Sequence, residues 1–140
     1  SWPIQIKDLP YLQVGPYHTN FVAGLELAMG LLKRRKTSNK QIFNITDGKP
    51  SCLIEPDGSF YKNSFGLDPY ITGKCLEMAA KTKKANIPVN TFMIAKDAYL
   101  QHFIRSFSEI NGGNAYYTGL NKLGQLIFSD YQQQKKRNSR

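Results

Sequence analysis

The sequence predicts an α/β fold, with an open, mostly parallel sheet flanked by helices. Three observations lead there. Short apolar, β-branched runs alternate with longer segments whose apolar residues recur at helical spacing. The intervals between successive runs suit βαβ crossovers, which join parallel strands. The chain of 140 residues, with 41% hydrophobic and 21% charged residues, is large enough to bury one core without staples.

The elements follow in order. "PIQIK" near the start suggests an edge strand. "TNFVAGLELAMGLLKRRK" opens on a Thr19-Asn20 cap and repeats Phe21, Leu25, Ala28 and Leu32 along one helical face. "QIFNIT" (41–46) reads as a buried strand. A polar excursion over 48–67 contains "LIEPDGSFYK", where a Pro-Asp-Gly turn between short apolar pieces predicts a hairpin. From Asp68 to about Asn86, Ile71, Cys75, Met78 and Ala79 keep helical spacing. "IPVNTFMIA" (87–95) is the next strand, with Pro88 confined to its start. Asp97 caps a helix whose buried stripe is Leu100, Phe103, Ile104 and Phe107. Two glycines in "NGGNAYYTG" break it and lead to a strand at 115–118. Leu120, Leu123, Ile127 and Tyr131 carry a last helix, so the domain is read as 1–131 and 132–140 as a frayed basic tail.

The formal charge of +9 gathers in "KRRKTSNK" (33–40), "KTKK" (81–84) and "KKRNSR" (135–140). The first two lie at or near helix ends, where cations favour the dipole. Solvated surface is the first explanation and nucleic-acid binding the second, and no nucleic-acid-binding motif argues for the latter. No apolar run reaches membrane-spanning length, and Ser1-Trp2-Pro3 does not begin a signal peptide. Cys52 and Cys75 lack Cys-x-x-Cys spacing, so reduced thiols and a cytoplasmic setting are expected, with a single disulfide between them left open. Cys52 has no neighbouring base and reads as a loop or lid cysteine. His102 reads as a helix-surface residue. His18, in the "GPYHTN" loop, is placed more suggestively, although packing or solvent explains it first. No nucleophile elbow, phosphate-binding loop or dinucleotide fingerprint is present. The aromatic residues fall at helical or strand spacing and read mostly as core.

One constellation remains. In "NITDGKP" (44–50) an apolar strand stops at Asp47. Ligands of open parallel sheets bind at the carboxyl edge, where such strands end. Thr19 begins the helix that leads into the same strand, so it belongs to that edge too. A hydroxyl and a carboxylate there suit a hard cation such as Mg²⁺, which often needs one or two carboxylates plus waters. The bland alternative is that Thr19 caps its helix and Asp47 caps a turn.

"HTNFVAGLELAMGLL", "QIFNITDGKPS" and "NIPVNTFMIAKDAYLQHFIRSFSEINGGNAYYTGLNKLGQLIFSDY" resemble the latter part of a von Willebrand factor A (VWA) domain. Within that family the chain is similar to the bacterial VWA proteins that accompany MoxR-type AAA+ ATPases. The resemblance implies a Rossmann-like sheet with helices on both faces. It also implies a metal-ion-dependent adhesion site, at which a partner's acidic side chain completes the coordination of a divalent cation. That site uses Asp-x-Ser-x-Ser, a separate threonine and a separate aspartate; Thr19 matches the threonine and Asp47 the aspartate. Asp-x-Ser-x-Ser is absent from these 140 residues, so the chain reads as beginning after the family's first strand, first helix and second strand. Mg²⁺ is then expected to bind weakly or not at all.

The first functional reading is therefore a non-enzymatic protein-binding module acting through the Thr19/Asp47 edge. A MoxR-type AAA+ ATPase is the partner class the resemblance implies, and neither nucleic acid nor membrane is expected. The strand at 41–46 would expose an edge open to self-association. The alternative is a basic domain binding nucleic acid or an acidic surface. An enzyme ranks third, because no nucleophile–base pair is visible.

Overall fold

The computed structural model describes residues 18–63, 65–94 and 96–138; the strand suggested by "PIQIK" lies outside them. Element order is α1 (Phe21–Lys33), β1 (Ile42–Thr46), β2 (Cys52–Ile54), β3 (Phe60–Lys62), α2 (Pro69–Lys84), β4 (Val89–Met93), α3 (Ala98–Asn111), β5 (Ala115–Tyr117), a 3-10 turn (Leu120–Lys122) and α4 (Leu123–Asn138). The fold is α/β, as the alternation predicts. β1, β4 and β5 form a parallel sheet in the order β1-β4-β5, with Ile42 opposite Val89 and Thr91 opposite Ala115. Every residue of β4 is buried, as suits a central strand covered on both faces.

Alternation along the strands sends side chains to two different layers. On one face Ile42, Val89 and Met93 join Phe21 and Leu25 of α1, Ile71, Cys75 and Met78 of α2, and Phe103, Ile104 and Phe107 of α3 in a single core. Each fully buried large apolar side chain contributes about 1.5–3 kcal/mol. Phe21 meets the Phe103 and Phe107 rings edge-on, at centroid distances of 6.1 and 5.3 Å. The stripes expected in α2 and α3 are the buried ones. In α1 the buried set is Phe21, Leu25 and Met29, with Ala28 and Leu32 only partly covered.

The opposite face carries Asn90 and Phe92 of β4. Tyr116 stacks on Phe92 at 5.0 Å and Phe43 meets it edge-on at 5.9 Å. α4 attaches to this face, but of the apolar stripe expected Leu123 and Ile127 are only half-buried and Tyr131 is exposed. Its deeply buried residues are Asp130, 2% exposed, and Gln134, whereas Phe128 is 62% exposed and Tyr131 is also exposed. Asp130 accepts hydrogen bonds from Asn90 Nδ2 (2.8 Å) and the Tyr116 hydroxyl. Burial and that bond push the Tyr116 hydroxyl up to about 12. Asn90 lies on a buried strand and must find a partner, so the helix turns a polar side inward. The same bonds correct the expected tail: α4 continues to Asn138, and Gln134 is buried within it.

Two glycines close α3 for separate reasons. Gly112 ends the helix at φ +86°, and its N–H donates to Ser108 O. Gly113 passes so close to β4 that a Cβ there would sit 2.1 Å from Val89 O. Beside it, the Asn111 side chain donates to Thr82 Oγ1 (2.7 Å) and Ile87 O (3.2 Å). It also accepts from Val89 N (2.8 Å) and Gly113 N (3.0 Å). One amide thus joins α2, β4 and the turn into β5.

Candidate functional site

The carboxyl edge of the sheet is assembled from the ends of β1 and β4, the starts of α1, α2 and α3, and the hairpin. β2 and β3 pair antiparallel through Leu53 and Tyr61, as the Pro-Asp-Gly turn predicts. Gly58 takes φ +88°, and Asp57 Oδ1 accepts from Ser59 N and Oγ at 2.9 and 2.6 Å. Asp68 fastens the hairpin to α2. Its carboxylate accepts from Asn63 Nδ2 (2.8 Å), the Tyr61 hydroxyl (2.7 Å) and the first-turn N–H groups of Tyr70 and Ile71. The bonds from Asn63 and then Tyr61 hold it below its ordinary 3.8.

Thr19 and Asp47 belong to two loops that are stitched together. Thr19 N donates to Ser51 Oγ (2.9 Å), while Ser51 N and Cys52 N donate to Thr19 O (2.9 and 3.3 Å). Both Thr19 and Asp47 are exposed. The bland alternatives for these residues are met by their neighbours. Asn20, not Thr19, caps α1, its Oδ1 accepting from Ala23 N at 2.9 Å. Thr46 closes the turn after β1: its hydroxyl donates to Gly48 O (2.7 Å) and accepts from Gly48 N (3.3 Å). Among the described residues, neither the Thr19 hydroxyl nor the Asp47 carboxylate has a hydrogen-bonding partner. Two oxygen donors at this edge therefore stand uncommitted among the described residues. Thr19 and Thr46 also line one cleft of about 330 Å³ between α1 and β1, together with Phe21, Leu25 and Ile45.

The donor set is suited to a hard cation in kind but small in number. No group of three or more His, Cys, Asp or Glu that could hold a metal is found among the described residues. Two protein oxygens leave most of a six-coordinate shell to water or to a partner.

Several residues of this edge were not singled out in the sequence as site residues, although Asp97 and Leu100 were read there as a helix cap and a core residue. Lys49, Leu67, Asp97, Tyr99 and Leu100 line a hollow of about 500 Å³ beside the turn that carries Asp47. Tyr99 is 80% exposed, and Phe65, next to the lining Gly66, is 91% exposed. They depart from the expectation that the aromatics are mostly core. Composition gives no sign of them, because an exposed aromatic and a buried one have the same letter. Ser51 is equally silent as a latch.

Cys52 lies buried in β2 rather than in a loop, and both cysteines are free thiols. Burial pushes Cys75 up to about 12 and also raises Cys52. His102 is exposed on α3, as expected. His18 is half-buried, and its Nδ1 has no described partner. No helix among the described residues is long and apolar enough to cross a membrane.

A family described as "Rv0959-like protein, vWA domain" matches residues 3–132, and the chain belongs to that family. Among solved structures, the chain is similar to the VWA domain of SpRpn10, with 19% identity, a TM-score of 0.46 and coverage of 73% of this chain. The similarity spans 46% of that structure's own length. No curated protein sequence matches.

Proposed function

We propose that this member of the Rv0959-like vWA family is a non-enzymatic module that recognises a protein partner at the carboxyl edge of its sheet. A divalent cation held weakly by Thr19 and Asp47 would contribute to the contact. The observation that carries this reading is the pair of exposed oxygens without a partner among the described residues. Their structural duties are taken by Asn20 and Thr46, so helix capping and turn closure do not account for them. The aromatic rim supports a protein rather than a small molecule as partner. Phe65 and Tyr99 are the two most exposed large apolar side chains at this edge, and exposed aromatics of that kind are enriched in protein interfaces. A MoxR-type AAA+ ATPase remains the partner class that the sequence resemblance proposes. Bound there, Mg²⁺ would supply positive charge for a partner's carboxylate, while Thr19 and Asp47 would orient it.

Isothermal titration with MgCl₂ tests the reading. Binding on the order of millimolar is expected from so few protein ligands, and Asp47→Ala should abolish it without lowering the melting temperature. Tight binding would mean that ligands besides these two exist. Binding unchanged by Asp47→Ala would remove Asp47 from the site.

A further inference from the structure

The three basic clusters lie far apart in the sequence, but the topology brings them together. Strands β1, β4 and β5 are parallel, so the helix before each strand ends at the amino edge of the sheet. Residues 33–40 contain five cations and link α1 to the start of β1; 81–84 contain three and end α2, five residues before β4. α4 runs back from β5, and Asp130 bonds to Asn90 and Asn114 at the starts of β4 and β5. Its last turns, with Lys135, Lys136 and Arg137, therefore continue past the same edge. Eleven of the chain's nineteen lysines and arginines thus stand at one edge. Five of the ten acids take the opposite one: Asp47, Glu55, Asp57, Asp68 and Asp97 lie in the strand ends, caps and hairpin of the carboxyl edge. Glu109, near the end of α3, and Asp130, bonded to Asn90 and Asn114, lie at the amino edge, while Glu26 and Glu77 lie within α1 and α2.

We propose that the amino edge of the sheet is a docking surface for an anionic lipid bilayer, separate from the partner site at the carboxyl edge. Charge complementarity carries the proposal, and two further features choose a bilayer over nucleic acid. Eight of the eleven cations are lysines, point charges that suit diffuse attraction to headgroups better than the bidentate phosphate contacts of arginine. Leu31 and Ile110, in the last turns of α1 and α3, are exposed at this edge. Aliphatic side chains among cations can enter the headgroup layer of a membrane, whereas they add little to contact with phosphodiester backbones.

Co-sedimentation of the full chain with vesicles tests this. Vesicles of phosphatidylcholine mixed with an equal part of phosphatidylglycerol should capture the chain about tenfold better than phosphatidylcholine alone, and added salt should reverse the capture. Reversing Lys81, Lys83 and Lys84 to Glu should lower capture about tenfold, and reversing Arg34, Arg35 and Lys36 should do the same. The equal charge change at Lys62, Lys96 and Lys122, outside the edge, should lower it less than about twofold. Leu31→Gln with Ile110→Gln should weaken capture several-fold. Circular dichroism selects the folded variants, and either edge triple suffices. Equal losses from the edge and control triples would overturn the proposal, as would indifference to phosphatidylglycerol. Tighter binding to duplex DNA than to vesicles at equal phosphate would overturn it in favour of nucleic acid.

Discussion

At the scale of single residues, the informative question is which side chains have a structural duty and which do not. Thr19 and Asp47 were legible in the sequence by position, at a helix start and a strand end. Their freedom was not, because it depends on Asn20 and Thr46 making the local bonds instead. Asn111 is the converse case. Its four hydrogen bonds span α2, β4 and the β5 turn, and nothing in the string "SEINGG" distinguishes it from an ordinary helix-ending asparagine. Asn111→Ala strands the buried N–H of Val89 and is expected to cost about 2–4 kcal/mol in urea unfolding. Gly113→Ala should cost about 2–3 kcal/mol, because its Cβ would meet backbone at Val89 O rather than a side chain that can move. A neutral result for Gly113→Ala would mean that the β4–β5 approach is looser than described.

Elements were legible wherever hydrophobic periodicity decided the packing. α2, α3, β4 and the hairpin lie where the pattern put them, and the apolar stripes it named in α2 and α3 are buried, while the buried polar Thr82, Ser108 and Asn111 were not named. α4 is the exception, for a physical reason. Its inward side is chosen by Asn90 and Tyr116, polar groups on the sheet that require an acceptor, and apolar spacing carries no information about that demand. Asp130→Ala is therefore expected to loosen α4 and cost about 3 kcal/mol, since hydrogen bonds to an acidic group are lost and Asn90 is left buried. Limited proteolysis between β5 and α4 should accelerate in that variant while the α2–α3 core stays intact. Asp68 gives α2 and the hairpin a pH dependence of defined sign. Its folded value is depressed, so its stabilisation is present above about 3.8 and is lost as pH falls through the lower folded value. Thermal melts from pH 5 downwards should lose stability in the parent chain, and Asp68→Asn should flatten that loss.

For the whole molecule, the sequence supplied the α/β class and the spacing of its crossovers. Only the assembled topology shows that eleven of the nineteen cations gather at one sheet edge and five of the ten acids at the other. The described sheet also ends at β1, whose outer edge has no strand beside it among the described residues, and Ile45 on that strand is 50% exposed. Unpaired backbone and an exposed apolar residue favour pairing with another chain, so sedimentation velocity is expected to show self-association that grows with concentration. A strict monomer at high concentration would count against that edge as an assembly surface. The central claim, that Thr19 and Asp47 form a cation-dependent recognition edge, is tested most directly by paramagnetic mapping of the ¹⁵N-labelled chain with Mn²⁺. The account predicts amide broadening centred on 19–20 and 46–51, removed by excess Mg²⁺ and absent in Asp47→Ala. Broadening centred on the hairpin acids, or unchanged in Asp47→Ala, would contradict it.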